Sequence, residues 1–133
     1  MRRQSVALIL TDEQRARVAE AQDVWLATVR PEPGAHLVPI WAVLVEDAIY
    51  IGTERKSQKV RNVEAHPRAA VSLTDTRDVL ILEGQASIVA ESVPGVMEEF
   101  KRKYDWTFTP GDGSWVLLRV VPDKILSWNT DAS

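Results

Sequence analysis

Ile49-Tyr50-Ile51-Gly52-Thr53-Glu54-Arg55-Lys56-Ser57-Gln58-Lys59-Val60-Arg61-Asn62 passes from an apolar β-forming stretch through a polar turn into helix-forming residues. The strand ends at Thr53. Ser57 is placed to cap a helix from Gln58 to about Ala65, which Pro67 stops. A helix N-terminus offers free N–H groups and the positive end of the helix dipole, and together they attract an anion. Thr53 and Ser57 add hydroxyls, while Arg55, Lys56, Lys59 and Arg61 add four positive charges within seven residues. Hydroxyls, free amides and cations together suit a phosphate monoester. A solvated basic helix face has the same composition, and the turn alone leaves both readings open.

Working outward, Thr11-Asp12-Glu13-Gln14 reads as a capping box opening a helix to about Ala21, with Val18 on its buried side. Val24 to Val29 reads as a buried strand, and Arg30-Pro31-Glu32-Pro33-Gly34 as a turn. A second strand is expected from His36 to Val45, with Pro39 at an edge, a bulge or a ligand-facing place because it lacks an N–H. Glu46-Asp47 turns the chain into the strand Ala48 to Thr53, and the three strands read as a meander. Downstream, strands are expected over Arg68 to Thr74 and Val79 to Ala90, with Gly84 at a bulge or kink. Ser92 is expected to cap a helix from Pro94 to Tyr104. Two closing strands, Trp115 to Val121 and Lys124 to Trp128, would join at Pro122-Asp123. Short strands with regular turns and few helices indicate a mainly β closed barrel rather than a parallel sheet. The expected organisation is a single domain over residues 1–133, with a core from 11 to 128 and a loose tail from Asn129 to Ser133.

Composition narrows the function classes. With 16 Lys plus Arg against 19 Asp plus Glu, the net charge of −3 argues against nucleic acid, whose binding rests on phosphate contacts. The chain has no cysteine, which removes disulfides, thiolate nucleophiles and Cys-ligated metals. Its two histidines, His36 and His66, are single and unpatterned, so no metal site is expected. No apolar run approaches the ~18 residues of a membrane span. The Val6 to Leu10 stretch is too short for a signal-peptide core, so a cytoplasmic protein is expected. The five tryptophans read as core or interface anchors, with Trp41, Trp106 and Trp115 the candidates to line a ring-binding pocket. Glu98-Glu99 and Lys101-Arg102-Lys103 read as a solvated helix surface with local charge pairs.

The strand-ending Thr53, Ser57 and Lys59 on the next helix, and Asn62 through His66-Pro67-Arg68-Ala69-Ala70-Val71, resemble the pyridoxamine-phosphate-oxidase-like split-barrel superfamily. Leu37-Val38-Pro39-Ile40-Trp41, Val79 to Ala90 and Arg119 to Trp128 are similar to its ring-contacting strand, its dimer-seam strand and its last hairpin. The resemblance implies a Greek-key, FMN-binding type of split β-barrel. It further implies an oxidoreductase using bound FMN or the deazaflavin coenzyme F-420 on a small molecule, or a non-catalytic carrier of that coenzyme. Thr53, Ser57 and Lys59 would hold the phosphate, and Val38, Pro39, Ile40 and Trp41 would lie along the ring system; catalytic residues are not indicated. Gln58 stands where FMN enzymes often have Arg, with Arg55 or Lys56 the candidates to compensate. True pyridoxamine-phosphate oxidases extend beyond the equivalent of Trp128 with basic residues for their substrate. The chain is therefore not expected to be that enzyme, and the balance leans to the deazaflavin branch. The resemblance also implies a homodimer.

Overall fold

The computed structural model describes residues 10–130. The apolar stretch before Leu10 and the end of the expected tail lie outside them. The described elements are α1 (Asp12–Glu20), β1 (Val24–Val29), β2 (Ala35–Ile40), β3 (Val43–Val45), β4 (Ala48–Glu54), α2 (Gln58–Ala65), β5 (Arg68–Ser72), β6 (Asp78–Val89), α3 (Val96–Tyr104) and β7 (Trp115–Asn129).

All strand pairings are antiparallel, and the order across the sheet is β2-β1-β5-β6-β7-β4-β3. Laid flat, six strand spacings would put β2 about 29 Å from β3. Yet Ile40 and Val43 are separated by three Cα steps, at most ~11 Å. The sheet must therefore curl until its edges meet at Trp41-Ala42, and the result is a split β-barrel.

The expected strand from His36 to Val45 is thus two strands. Its first half pairs with β1 and its second with β4, so the expected meander is cut in its middle strand. Pro39 lies on the edge half, where a missing N–H leaves no strand unserved. The opposite correction applies to the closing strands, which are one fifteen-residue strand. Pro122-Asp123 does not end it, because a register shift opposite Glu83 and Gly84 absorbs one extra residue. Gly84 belongs there: a Cβ would press on the Val121 carbonyl and sit 2.8 Å from the Pro122 Cα.

The α1 capping box forms as read, with Thr11 and Gln14 exchanging hydrogen bonds of 2.9 and 3.1 Å. α3 differs from expectation. It starts at Val96 behind Gly95, whose φ of 87° is left-handed, and no side chain caps it. The Val96 N–H instead closes a turn onto the Val93 carbonyl, leaving Ser92 outside.

Two apolar clusters result. The barrel interior holds Leu26, Ile49, Ile51, Val63, Leu82 and Leu118 among others. On the other face of β4 and β7, Tyr50 and Leu117 meet Val96 and Phe100 of α3. β4 is therefore covered on both faces, which is why Ala48 to Ile51 reads as an unbroken apolar run. α2 is tied to β1 by the fully buried Asn62, whose side-chain N–H donates to Thr28 at 2.9 Å.

Candidate functional site

Strand β4 carries Gly52, Thr53 and Glu54 to the barrel rim, and α2 begins four residues later. Between this turn, the end of β2 and the α3–β7 connection lies an open cavity of about 430 Å³. It is lined by Pro39, Ile40 and Trp41, by Gly52, Thr53, Glu54, Ser57 and Lys59, and by Trp106 and Trp115. Six of the seven site residues read from the sequence meet here. Val38 does not: its side chain packs against the barrel interior.

One end of the cavity is polar. Thr53 is buried, and its hydroxyl lies 3.0 Å from that of Ser57. One hydroxyl proton is spent between them and one is left for a ligand. Ser57 Oγ also accepts from the Val60 N–H at 3.4 Å as the helix cap. The N–H groups of Gln58 and Lys59, in the first turn, have no partner among the described residues. The Lys59 ammonium likewise makes no hydrogen bond or ion pair among those residues. Burial pushes its pKa below the usual lysine value, against the opposing pull of Glu54.

The other three cations of the turn do not converge on the cavity. Arg55 pairs with Glu64 at 3.0 Å, Arg61 donates to the Lys56 carbonyl at 2.7 Å, and Lys56 is exposed. Gln58 is occupied by Asn62 at 2.7 Å. Compensation for Gln58 by Arg55 or Lys56 is therefore not seen; among the described residues the cradle has one cation, Lys59, and one carboxylate, Glu54. The sequence gives no sign that Glu54 belongs to it, since a strand-ending glutamate is ordinary.

The other end is aromatic. Trp41, Trp106 and Trp115 form its wall, with Trp106 edge-on to Trp41 (5.9 Å, 77°) and to Trp115 (5.5 Å, 76°). Gly52 leaves the room: a Cβ there would lie 3.0 Å from Trp106 and collide with Phe108. Neither His36 nor His66 lines this cavity. His36 lies on β2 with a buried Nδ1 that has no partner among the described residues, and burial, then Arg30 and Lys59, lower its pKa.

Among solved structures the chain is similar to the conserved hypothetical protein Rv2991 from Mycobacterium tuberculosis, at 23% identity and TM-score 0.74 over 98% of this chain and 91% of that one. It is similar to an F420 reductase at 22% and 0.71, covering 88% and 98%. It is also similar to HutZ, the heme storage protein from Vibrio cholerae, at 16% and 0.70, covering 90% and 95%. At these identities the likeness is one of fold. Comparison with curated proteins finds no match. The family profile of pyridoxamine 5'-phosphate oxidase, however, matches residues 10–129, which takes in every strand of the barrel and the whole cavity wall, and the chain belongs to that family.

Proposed function

We propose that the cavity holds a flavin-type redox coenzyme and that the protein is an oxidoreductase acting on a small molecule. The observation that carries this is the two-ended cavity: hydroxyl, free N–H groups and an ammonium at one end, three indoles at the other. That donor set fits a phosphate joined to a planar ring. Lys59, Ser57 and the first turn of α2 would hold the phosphate, with Thr53 orienting Ser57. Trp41, Trp106 and Trp115 would flank the ring and keep water from it. The coenzyme, when bound, supplies the hydride or electron chemistry.

Charge balance favours the deazaflavin coenzyme F-420. One ammonium facing one carboxylate matches a singly charged phosphodiester better than the doubly charged monoester of FMN. A second copy of the chain is the expected partner. Register places Trp25, Ala27 and Val29 of β1 opposite Pro39, Leu37 and Ala35 of β2 on one outer face. Trp25, Val29 and Leu37 are exposed there, and Pro39 belongs both to this face and to the cavity. A partner on that face would cover the cavity's flank.

The heme storage relative favours a second reading, in which the protein carries the coenzyme without turnover. The described titratable groups of the cavity, Lys59 and Glu54, both lie at its polar end, which leaves the aromatic end without an acid or base.

Titration of FMN, riboflavin and coenzyme F-420 tests these readings, beside mass spectrometry of any ligand released on denaturation. A charge-assisted hydrogen bond contributes roughly 1.5–3 kcal/mol, so Lys59→Ala should weaken the two phosphate-bearing ligands by about ten- to a hundredfold. Riboflavin should be unaffected. Glu54→Gln should tighten FMN more than coenzyme F-420. Equal affinities of wild type and Lys59→Ala for every ligand would reduce the turn to a solvated helix end. Bound coenzyme that no reductant or substrate turns over would select the carrier.

A further inference from the structure

The Trp41-Ala42 crossover is where the two edges of the sheet meet, and it belongs to no strand. Its backbone is nevertheless held. The Ala42 N–H donates to the Tyr104 hydroxyl oxygen at 3.1 Å, and the Ala42 carbonyl accepts from Lys103 Nζ at 2.6 Å. Lys103 also reaches the Val18 carbonyl of α1 at 3.3 Å. The Tyr104 hydroxyl has one proton and two carbonyls in reach, Gln22 at 2.8 Å and Ala42 at 3.1 Å. The shorter contact goes to Gln22, because Lys103 already serves Ala42. Lys103 thus departs from the solvated surface expected for it and its neighbours: Lys101 and Arg102 do pair on that surface, with Asp105 and Glu99, but Lys103 turns inward to backbone carbonyls. The Tyr104 ring lies flat on the Trp41 indole, with centroids 4.5 Å apart and planes within 7°. Trp41 itself is 45% exposed and lines the cavity.

We propose that Lys103 and Tyr104 are positioning residues for the ligand cavity: from the end of α3 they clasp the Trp41-Ala42 crossover and hold the Trp41 indole as a fixed wall. Hydrogen bonds set the Ala42 peptide, and the stacked Tyr104 ring sets the rotamer of the side chain beside it. Without the clasp, Trp41 would ride on a two-residue link with no sheet partner. The proposal rests on the reading of the cavity as a ligand site.

The test uses Tyr104→Phe, which keeps the ring and removes the hydroxyl, Lys103→Met, and Arg102→Ala as a surface control. In ligand-free protein, acrylamide quenching of Trp41 is obtained as the difference between each protein and its Trp41→Phe counterpart. FMN and coenzyme F-420 are then titrated into each folded variant. Tyr104→Phe and Lys103→Met should raise Trp41 quenching about twofold and weaken ligand binding about fivefold, the loss expected of one hydrogen bond. Arg102→Ala should change neither. Unchanged quenching in Tyr104→Phe overturns the clasp, whether or not Lys103→Met folds. Raised quenching with unchanged affinity overturns the positioning role. If wild type binds neither ligand while quenching still rises, the clasp stands as a packing device and the ligand reading falls.

Discussion

Lys59 and Lys103 both lie partly buried, with ammonium groups held below the ordinary lysine range by burial, yet only Lys103 of the two makes hydrogen bonds among the described residues. Lys59 faces a cavity; Lys103 donates to the Val18 and Ala42 carbonyls. Burial gives Lys103 a signature in stability. Burial takes its pKa from 10.5 to about 8 in the folded protein. Between those values the unfolded chain holds more protons than the folded one, so stability rises with pH through that window and is flat below it. The shift corresponds to about 3 kcal/mol, which partial contact with solvent reduces to roughly 1–2 kcal/mol. Urea unfolding of wild type and Lys103→Met from pH 7 to 10.5 should show wild type gaining that much on the variant. Parallel curves across the window would contradict it. Lys59 lines the cavity, and its removal should appear in ligand affinity.

At the scale of elements, β6 and β7 make the longest pairing in the molecule, and one irregularity sets its geometry. Gly84 meets fixed backbone, the Val121 carbonyl and the Pro122 Cα, which cannot rotate away as a side chain would. Gly84→Ala should therefore cost on the order of 2–3 kcal/mol in chemical denaturation. Gly113→Ala is the useful contrast. Its φ of 97° strains an L-residue, but nothing lies within 4 Å of an added Cβ, so its cost should be near 1 kcal/mol. A loss at Gly84 no larger than that at Gly113 would show that β7 moves aside, and that the close approach does not make Gly84 necessary. α2 illustrates another use of an element, since its inner residues Asn62 and Val63 anchor it to the barrel while its first turn faces the cavity.

At the scale of the whole molecule, closing the barrel buries one face of the sheet and leaves apolar side chains on the other. Trp25, Val29 and Leu37 are 40%, 44% and 60% exposed on the outer face of β1 and β2. Water contact with such a face is costly, and a second copy is the occupant expected from its continuity with the cavity at Pro39. Sedimentation should give twice the 14.9 kDa chain mass at micromolar concentration. Leu37→Glu, which would bury a charge in each half of that interface, should return it to a single-chain mass with the fold intact by circular dichroism. A wild-type mass of one chain would remove the partner.

Local chemistry was enough to read the capping box at Thr11, the Ser57-capped helix, the strand cores and the bulge at Gly84. Each depends on neighbours within a few residues: a hydroxyl near an N–H, a β-branched run, a proline without a donor. Tertiary structure alone decided where the strand from His36 to Val45 breaks, because that break exists only to let the sheet close on itself. It alone decided that Pro122-Asp123 bulges rather than turns, since the partner strand β6 continues past them. The same holds for the cations. By charge alone Arg55, Lys56, Lys59 and Arg61 are equivalent, but Arg55 and Lys56 lie in the turn before α2, and within α2 a rotation of about 100° per residue sends Lys59 and Arg61 to different faces. Of the four, only Lys59 lines the cavity, and only the fold brings Trp106 and Trp115, from a distant part of the chain, to face it. Side-chain direction is fixed by what packs behind the backbone, which in this protein is the rolled sheet.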